Sequence, residues 1–175
     1  SAFFIHESGI AVTNYHSLAD TAAASVTLTT GEVYPVEGVL WADKAADLAV
    51  IRVSRLSRDG RTSTPSFAAL TLVGTEETRA GDTVYALGNP MGLGQSVSAG
   101  IISAVGCVTS LSTTPCLVST APISTGSSGG ALLNEYGHVV AVTSGALLSG
   151  NAMYLSVPVD ALMGRDFTAL KAVSL

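Results

Sequence analysis

Apolar and polar residues alternate with a period of two along most of this chain, which is the pattern of half-buried β-strands. Ser25-Val26-Thr27-Leu28-Thr29 and Glu32-Val33-Tyr34-Pro35-Val36 flank Thr30-Gly31 and predict a hairpin. Leu48 to Val53 and Thr83 to Leu87 read as strands buried on at least one face. Ser96 to Val105, Cys116 to Ala121, Ala131 to Leu133, His138 to Thr143 and Met153 to Val157 continue the series. The stretch 54–66 is polar, basic and punctuated by Gly60 and Pro65, so it predicts a loop, and 71–81 reads as a connector between two halves. The period changes once. From Asp160 to Ala172 the apolar positions Leu162, Met163, Phe167 and Leu170 predict a closing helix over about 160–172, with Asp160 as its N-cap.

Composition supports an all-β chain. Apolar residues make up 47% and charged residues 12% of 175 residues, with 18 glycines, which suits short strands and tight turns rather than long charged helices. A net charge of −5 argues against a nucleic-acid footprint. The one basic run, Arg52, Arg55, Arg58 and Arg61, reads as a solvated loop edge. No apolar stretch of about 18 residues is present to span a membrane as a helix. No His/Cys/Asp cluster has metal-ligand spacing, so neither metal nor cofactor is expected.

Chemistry enters through three short stretches: Asn14-Tyr15-His16, Ala46-Asp47-Leu48-Ala49-Val50 and Thr125-Gly126-Ser127-Ser128-Gly129-Gly130. A histidine, then an aspartate, then a serine among glycines is the chain order of the chymotrypsin-type nucleophilic triad. Ser128 would attack, His16 would take its proton, and Asp47 would fix the imidazole tautomer. The N–H groups of Gly126 and Ser128 are the expected oxyanion donors. The same letters fit the G-x-S-x-G elbow of α/β-hydrolases, but there the acid and histidine follow the serine, and about 47 residues after Ser128 are too few for the rest of such a sheet. A subtilisin order needs an aspartate before His16, where the only acid is Glu7. Ser127 is the competing nucleophile and Asp43 the competing acid, while His6 and His138 lack a motif and read as surface-strand residues.

These stretches, with Val12-Thr13 ahead of Asn14, Ala80-Gly81-Asp82-Thr83-Val84, the run Ala86 to Gln95 and Ala99 to Ala104, resemble in order and spacing the catalytic domain of the HtrA (high-temperature-requirement A) family of trypsin-like serine proteases. The resemblance implies a double β-barrel, the first barrel at about 1–70 and the second at about 82–159. It also implies a serine endopeptidase acting on polypeptides, unfolded or misfolded ones in particular. An extracytoplasmic setting is expected, with homotrimers possible in a full-length protein. Family members carry a strand upstream of the segment matching Ser1 to Ile5, and any PDZ domain would lie beyond Leu175. No signal peptide begins at Ser1, which the resemblance reads as trimming.

Departures from the family pattern bear on specificity. Pro122 stands where basic-specific trypsins carry an aspartate, and Thr143 where glutamyl endopeptidases carry a histidine. A pocket from Pro122 to Thr125 and from Thr143 through Ser144 and Gly145 to Leu147 is therefore uncharged and expected to accept small to medium aliphatic P1 side chains. Ser127 replaces the aspartate of zymogen-activated trypsins, so activation by propeptide cleavage is not expected. Thr120 replaces an aspartate in the family's lead-in to the nucleophile. Cys107 and Cys116 flank Val108 to Pro115, the family's regulatory loop, and could face each other at its base as a disulfide or pack as thiols. The competing function is a protease-like module that binds unfolded peptides without cutting them.

Overall fold

The computed structural model describes residues 1–92, 94–109, 112–146 and 153–175. Strands β1 (Phe3–His6), β2 (Ile10–Thr13), β3 (Ser25–Thr27), β4 (Val33–Asp43) and β5 (Leu48–Val53) make one antiparallel sheet in the order β1-β2-β5-β4-β3. Strands β6 (Thr83–Gly88), β7 (Ser96–Thr109), β8 (Ser112–Ser119), β9 (Ala131–Asn134), β10 (Val139–Ala146) and β11 (Tyr154–Pro158) close into a barrel in the order β10-β11-β8-β7-β6-β9. The predicted hairpin forms with Ser25 opposite Pro35 and Thr27 opposite Val33.

Alternation decides which core each side chain enters. On β2, Ile10 and Val12 face one cluster and Ala11 another; on β5, Leu48 and Val50 face the first while Ile51 and Val53 face the second. The first cluster also contains Val118, Val139, Val142, Leu155 and Val157 of the closed barrel, so it is the interface between the two halves. The second is the interior of the first sheet, where Phe4 stacks on Phe67 at 4.2 Å and Tyr34 meets Phe67 edge-on at 5.3 Å. A third, with Val84, Ile102, Leu117, Leu132 and Val140, fills the barrel. Strands buried on both faces read as nearly continuous apolar runs, as β5 does.

The helix expected over about 160–172 is not formed. A short 3₁₀ turn, Val159–Leu162, is followed by turns and extended chain. Leu162 and Phe167 are buried, whereas Met163 and Leu170 are exposed, a spacing that one helix face does not produce. Reach explains the outcome. The segment leaves the second barrel and crosses to β4, where Val39 and Val173 exchange backbone hydrogen bonds of 2.8 and 2.9 Å. Extended chain covers up to about 3.3–3.6 Å per residue against 1.5 Å in a helix. Arg52 fastens this strap by donating to the carbonyls of Phe167, Thr168 and Leu170, each at 3.4 Å, so it is not a solvated loop edge.

Cys107 and Cys116 stand directly opposite each other on β7 and β8. Cys116 lies in the interface cluster with Cys107 packed against it, and the Cys116 sulfur is 3.3 Å from the Thr114 carbonyl oxygen. Both side chains add apolar surface to that cluster, and their facing register is what a bridge between them would need.

The strap depends on a bare backbone at Gly38, because a Cβ there would sit 2.3 Å from the Val173 carbonyl oxygen. Gly38→Ala should detach the strap, with a stability loss of roughly 1–3 kcal/mol. Thermal unfolding measures the loss, and amide exchange at Val39 should accelerate; an unchanged Val39 amide would mean that the strap survives.

Candidate active site

Antiparallel pairing of β2 with β5 sets Thr13 opposite Ala49, so the residues leaving β2 lie beside those entering β5. His16 sits in the 3₁₀ turn Tyr15–Ser17 after β2, and Asp47 ends the turn between β4 and β5. The Asp47 carboxylate accepts two hydrogen bonds from His16, one from its backbone N–H at 2.9 Å and one from ring Nδ1 at 2.8 Å. A carboxylate only accepts, so Nδ1 carries a proton, and the neutral form of the ring held this way has its lone pair on Nε2. Asp43 is spent locally: its Oδ1 accepts the N–H groups of Ala45 and Ala46 and shapes the turn.

Asp47 is a non-glycine residue in the left-handed region, with φ 55°. Its carbonyl accepts Asn14 Nδ2 at 2.9 Å and the Tyr15 N–H at 3.2 Å. Its carboxylate also accepts the Ser144 hydroxyl at 3.2 Å. Ser144 is the extra residue of a bulge between β10 and β11, where pairing passes from Thr143–Ser156 to Gly145–Leu155. The Ser144 carbonyl accepts the Ser128 hydroxyl at 2.8 Å. One bulge residue thus contacts both Asp47 and Ser128. No hydrogen bond joins Ser128 to His16 among the described residues.

Ser128 lies on the loop joining β8 to β9. The Ser127 N–H donates to the Ser124 carbonyl at 2.9 Å, closing a turn with Gly126 at φ 94°. Only glycine adopts that conformation at little cost, and a Cβ on Gly126 would lie 2.7 Å from the Asn89 carbonyl oxygen. The Thr125 carbonyl is held by the Met91 N–H at 2.8 Å and the Gly126 carbonyl by the Ser1 hydroxyl at 2.6 Å. With those carbonyls turned away, the Gly126 and Ser128 N–H groups make no hydrogen bond among the described residues. Two unengaged N–H groups beside a serine hydroxyl can stabilise an oxyanion.

The expected substrate pocket is only partly assembled from the residues named for it. Pro122 and Thr143 line a cavity of about 120 Å³ together with Ile123, Ser124, Ser127 and Ser98, with no charged side chain. Ser144 and Gly145 do not line it, and Leu147 lies outside the described residues. Thr143 is buried, and its hydroxyl donates to the carbonyls of Ser127 at 2.7 Å and Gly130 at 3.2 Å. It therefore braces the nucleophile loop. Among the described residues no group of His, Cys, Asp and Glu side chains could hold a metal ion. Sequence reasoning misses Ser1 and Asn14 as side chains that hold this site; nothing in local composition distinguishes either.

Two packed antiparallel β units, with a histidine–aspartate pair on one and a serine in a glycine loop on the other, define a trypsin-like serine-protease domain. The family model for the trypsin-like peptidase domain matches residues 1–142. The chain belongs to that family, as a catalytic domain of HtrA type. A probable periplasmic serine endoprotease, DegP-like, of Rhizobium meliloti (strain 1021) is 34% identical over 168 residues, covering 95% of this chain and 32% of that protein. The serine endoprotease DegS of Haemophilus influenzae is 32% identical over 147 residues, 82% of this chain and 40% of that protein. Among solved structures, the HtrA-type protease AlgW with a decapeptide superposes with a TM-score of 0.78 at 28% identity, covering 91% of this chain and 48% of that one. The chain thus spans about a third of the DegP-like relative and about half of the AlgW chain.

The bracing role of Thr143 is open to a test independent of activity. Thr143→Val keeps the volume but leaves the Ser127 and Gly130 carbonyls with fewer donors, which should lower stability by about 1–3 kcal/mol in denaturant unfolding. A loss below about 0.5 kcal/mol would show that the loop does not lean on this hydroxyl.

Proposed function

We propose that this chain is a serine endopeptidase domain in which His16, Asp47 and Ser128 form the triad and the N–H groups of Gly126 and Ser128 the oxyanion hole. The observation that carries the reading is the double hydrogen bond from His16 to Asp47, on a carboxylate that Ser144 ties to the Ser128 loop. The Ser128 hydroxyl rotates from the Ser144 carbonyl toward His16 Nε2, which takes its proton as Oγ attacks the scissile carbonyl. Negative charge forms on the carbonyl oxygen between the two N–H groups. The imidazolium, stabilised by Asp47, gives the proton to the leaving amine, and water then cleaves the acyl-enzyme by the same route.

Polypeptides, unfolded ones in particular, are the proposed substrates, cut after small to medium aliphatic residues in an extracytoplasmic compartment. The segments 122–125 and 143–146 support neutral specificity, since neither contains a charged residue to pair with a P1 cation or carboxylate. The relatives named periplasmic endoproteases support the compartment. A second reading, peptide binding without turnover, draws on the Ser128 hydroxyl being bonded to Ser144 instead of His16.

Labelling with a fluorophosphonate, followed by mapping of the adduct, separates the two. An adduct on Ser128 is expected; no adduct on either serine would leave only the binding module. Ser128→Ala should lower turnover by about 10⁴–10⁶ with the fold retained, because triad members act as a unit. If Ser127→Ala has that effect and Ser128→Ala does not, the register is displaced by one residue.

On a peptide library, P1 Val, Ala, Ile and Leu should exceed Arg, Lys and Glu. A preference for Arg contradicts the assignment of the pocket.

A further inference from the structure

Asn14 is fully buried, yet only half of its amide is satisfied. Nδ2 donates to the Asp47 carbonyl at 2.9 Å, while Oδ1 is buried with no hydrogen-bond partner among the described residues. Turning the amide over gives no relief, because Oδ1 would then face the Asp47 carbonyl oxygen, acceptor against acceptor. An apolar side chain of similar size would leave no orphan atom, so packing alone does not explain the residue. Buried unsatisfied groups are rare and call for a specific compensation.

Compensation lies at Asp47. Its φ of 55° lies in the left-handed region, which aspartate visits more readily than most residues with a Cβ but still at a cost that neighbouring contacts can offset. Two donors hold its carbonyl, Asn14 Nδ2 and the Tyr15 N–H, both from the segment that carries His16. On the other side of the same residue, the carboxylate meets His16 N, His16 Nδ1 and Ser144 Oγ. Backbone and side chain of Asp47 are thus gripped separately.

We propose that Asn14 is a positioning residue of the triad: its amide locks the Asp47 backbone in the left-handed conformation that aims the carboxylate at His16. The proposal rests on the triad reading above. Without the amide, the Tyr15 N–H alone retains the Asp47 carbonyl, the backbone relaxes, and the carboxylate leaves Nδ1. The imidazole then loses its fixed tautomer and the partner of its charged form, which slows chemistry more than substrate binding.

The test uses the Asn14→Ala chain, with Asn14→Ser keeping a donor on a shorter arm and Asn14→Asp setting a carboxylate oxygen against the Asp47 carbonyl. Turnover, kcat, should fall about 10–100-fold in Asn14→Ala with KM within about twofold, by analogy with the loss of a partner that orients a metal ligand. Asn14→Ser should fall less and Asn14→Asp more. Proton NMR on the Ser128→Ala background supplies a readout that needs no turnover. The low-field Nδ1 proton of His16, hydrogen-bonded to Asp47, should broaden or vanish with Asn14→Ala and persist with Asn14→Ser. If Asn14→Ala does not fold, the contrast of Asn14→Ser with Asn14→Asp in both measurements decides the matter. A variant that melts earlier but keeps kcat and the low-field proton would overturn the proposal and make Asn14 a structural residue only. If wild-type Ser128 takes no fluorophosphonate, the triad reading fails separately, and the NMR response still reports whether Asn14 holds Asp47.

Discussion

Pairing of β2 with β5 is the constraint from which the rest of the structure follows. It joins two strands whose opposite faces feed different cores, so Ile10, Val12, Leu48 and Val50 bind the halves together while Ala11, Ile51 and Val53 fill the first sheet. Fully burying one such aliphatic side chain contributes about 1.5–3 kcal/mol, so the pairing is enforced from both sides. Register cannot slip, because a shift of one residue would exchange the two faces. Since the strands run antiparallel, that fixed register also sets the end of β2 beside the start of β5. His16 and Asp47 meet because two cores hold their strands in place.

The serine arrives by a different device. From Ser124 to Gly130 its loop carries only small side chains, and its shape there is set through backbone carbonyls: Thr125 by Met91, Gly126 by Ser1, and Ser127 and Gly130 by Thr143. Each bond turns a carbonyl away from Ser128 and leaves the N–H groups of Gly126 and Ser128 pointing elsewhere than into the protein's own acceptors. As the proposed oxyanion donors, these two groups would need little reorganisation when charge appears. The β10 bulge at Ser144 connects this loop to Asp47, so the histidine side and the serine side of the cleft share a residue.

Much of this is legible in the amino-acid sequence. Strands follow from alternation, and the three candidate site residues are picked out by the glycines around Ser128 and the order His16, Asp47, Ser128. The strap escapes such a reading for a physical reason: Leu162, Met163, Phe167 and Leu170 satisfy a helical period, but only an extended chain reaches Val39, and reach is a property of distance across the fold. Arg52 is recognisable as the strap's fastening only once the strap is known to be extended. The sequence offers Ser144 only as a pocket residue, and its link to Asp47 and Ser128 is hidden, as is the contact of Asn14, for a related reason. One acts through a bulge and the other through a backbone carbonyl, and neither relation leaves a mark on local composition.

Exposure of the histidine side of the cleft shows what its charge pairing contributes. The His16 side chain is 53% exposed and that of Asp47 26%, so water screens the pair and its worth to folding is small. Its value is directional: Asp47 receives both the backbone N–H and Nδ1 of His16, which fixes the ring and its tautomer. In the proposed reaction, a polypeptide laid across the cleft would exclude that water, and the interaction between carboxylate and imidazolium would strengthen as the local dielectric falls. The same contact that is weak in the resting domain would become strong under substrate. Orientation must therefore be secured before substrate arrives, and in the proposed scheme the buried Asn14 and the Tyr15 N–H secure it by holding the Asp47 carbonyl.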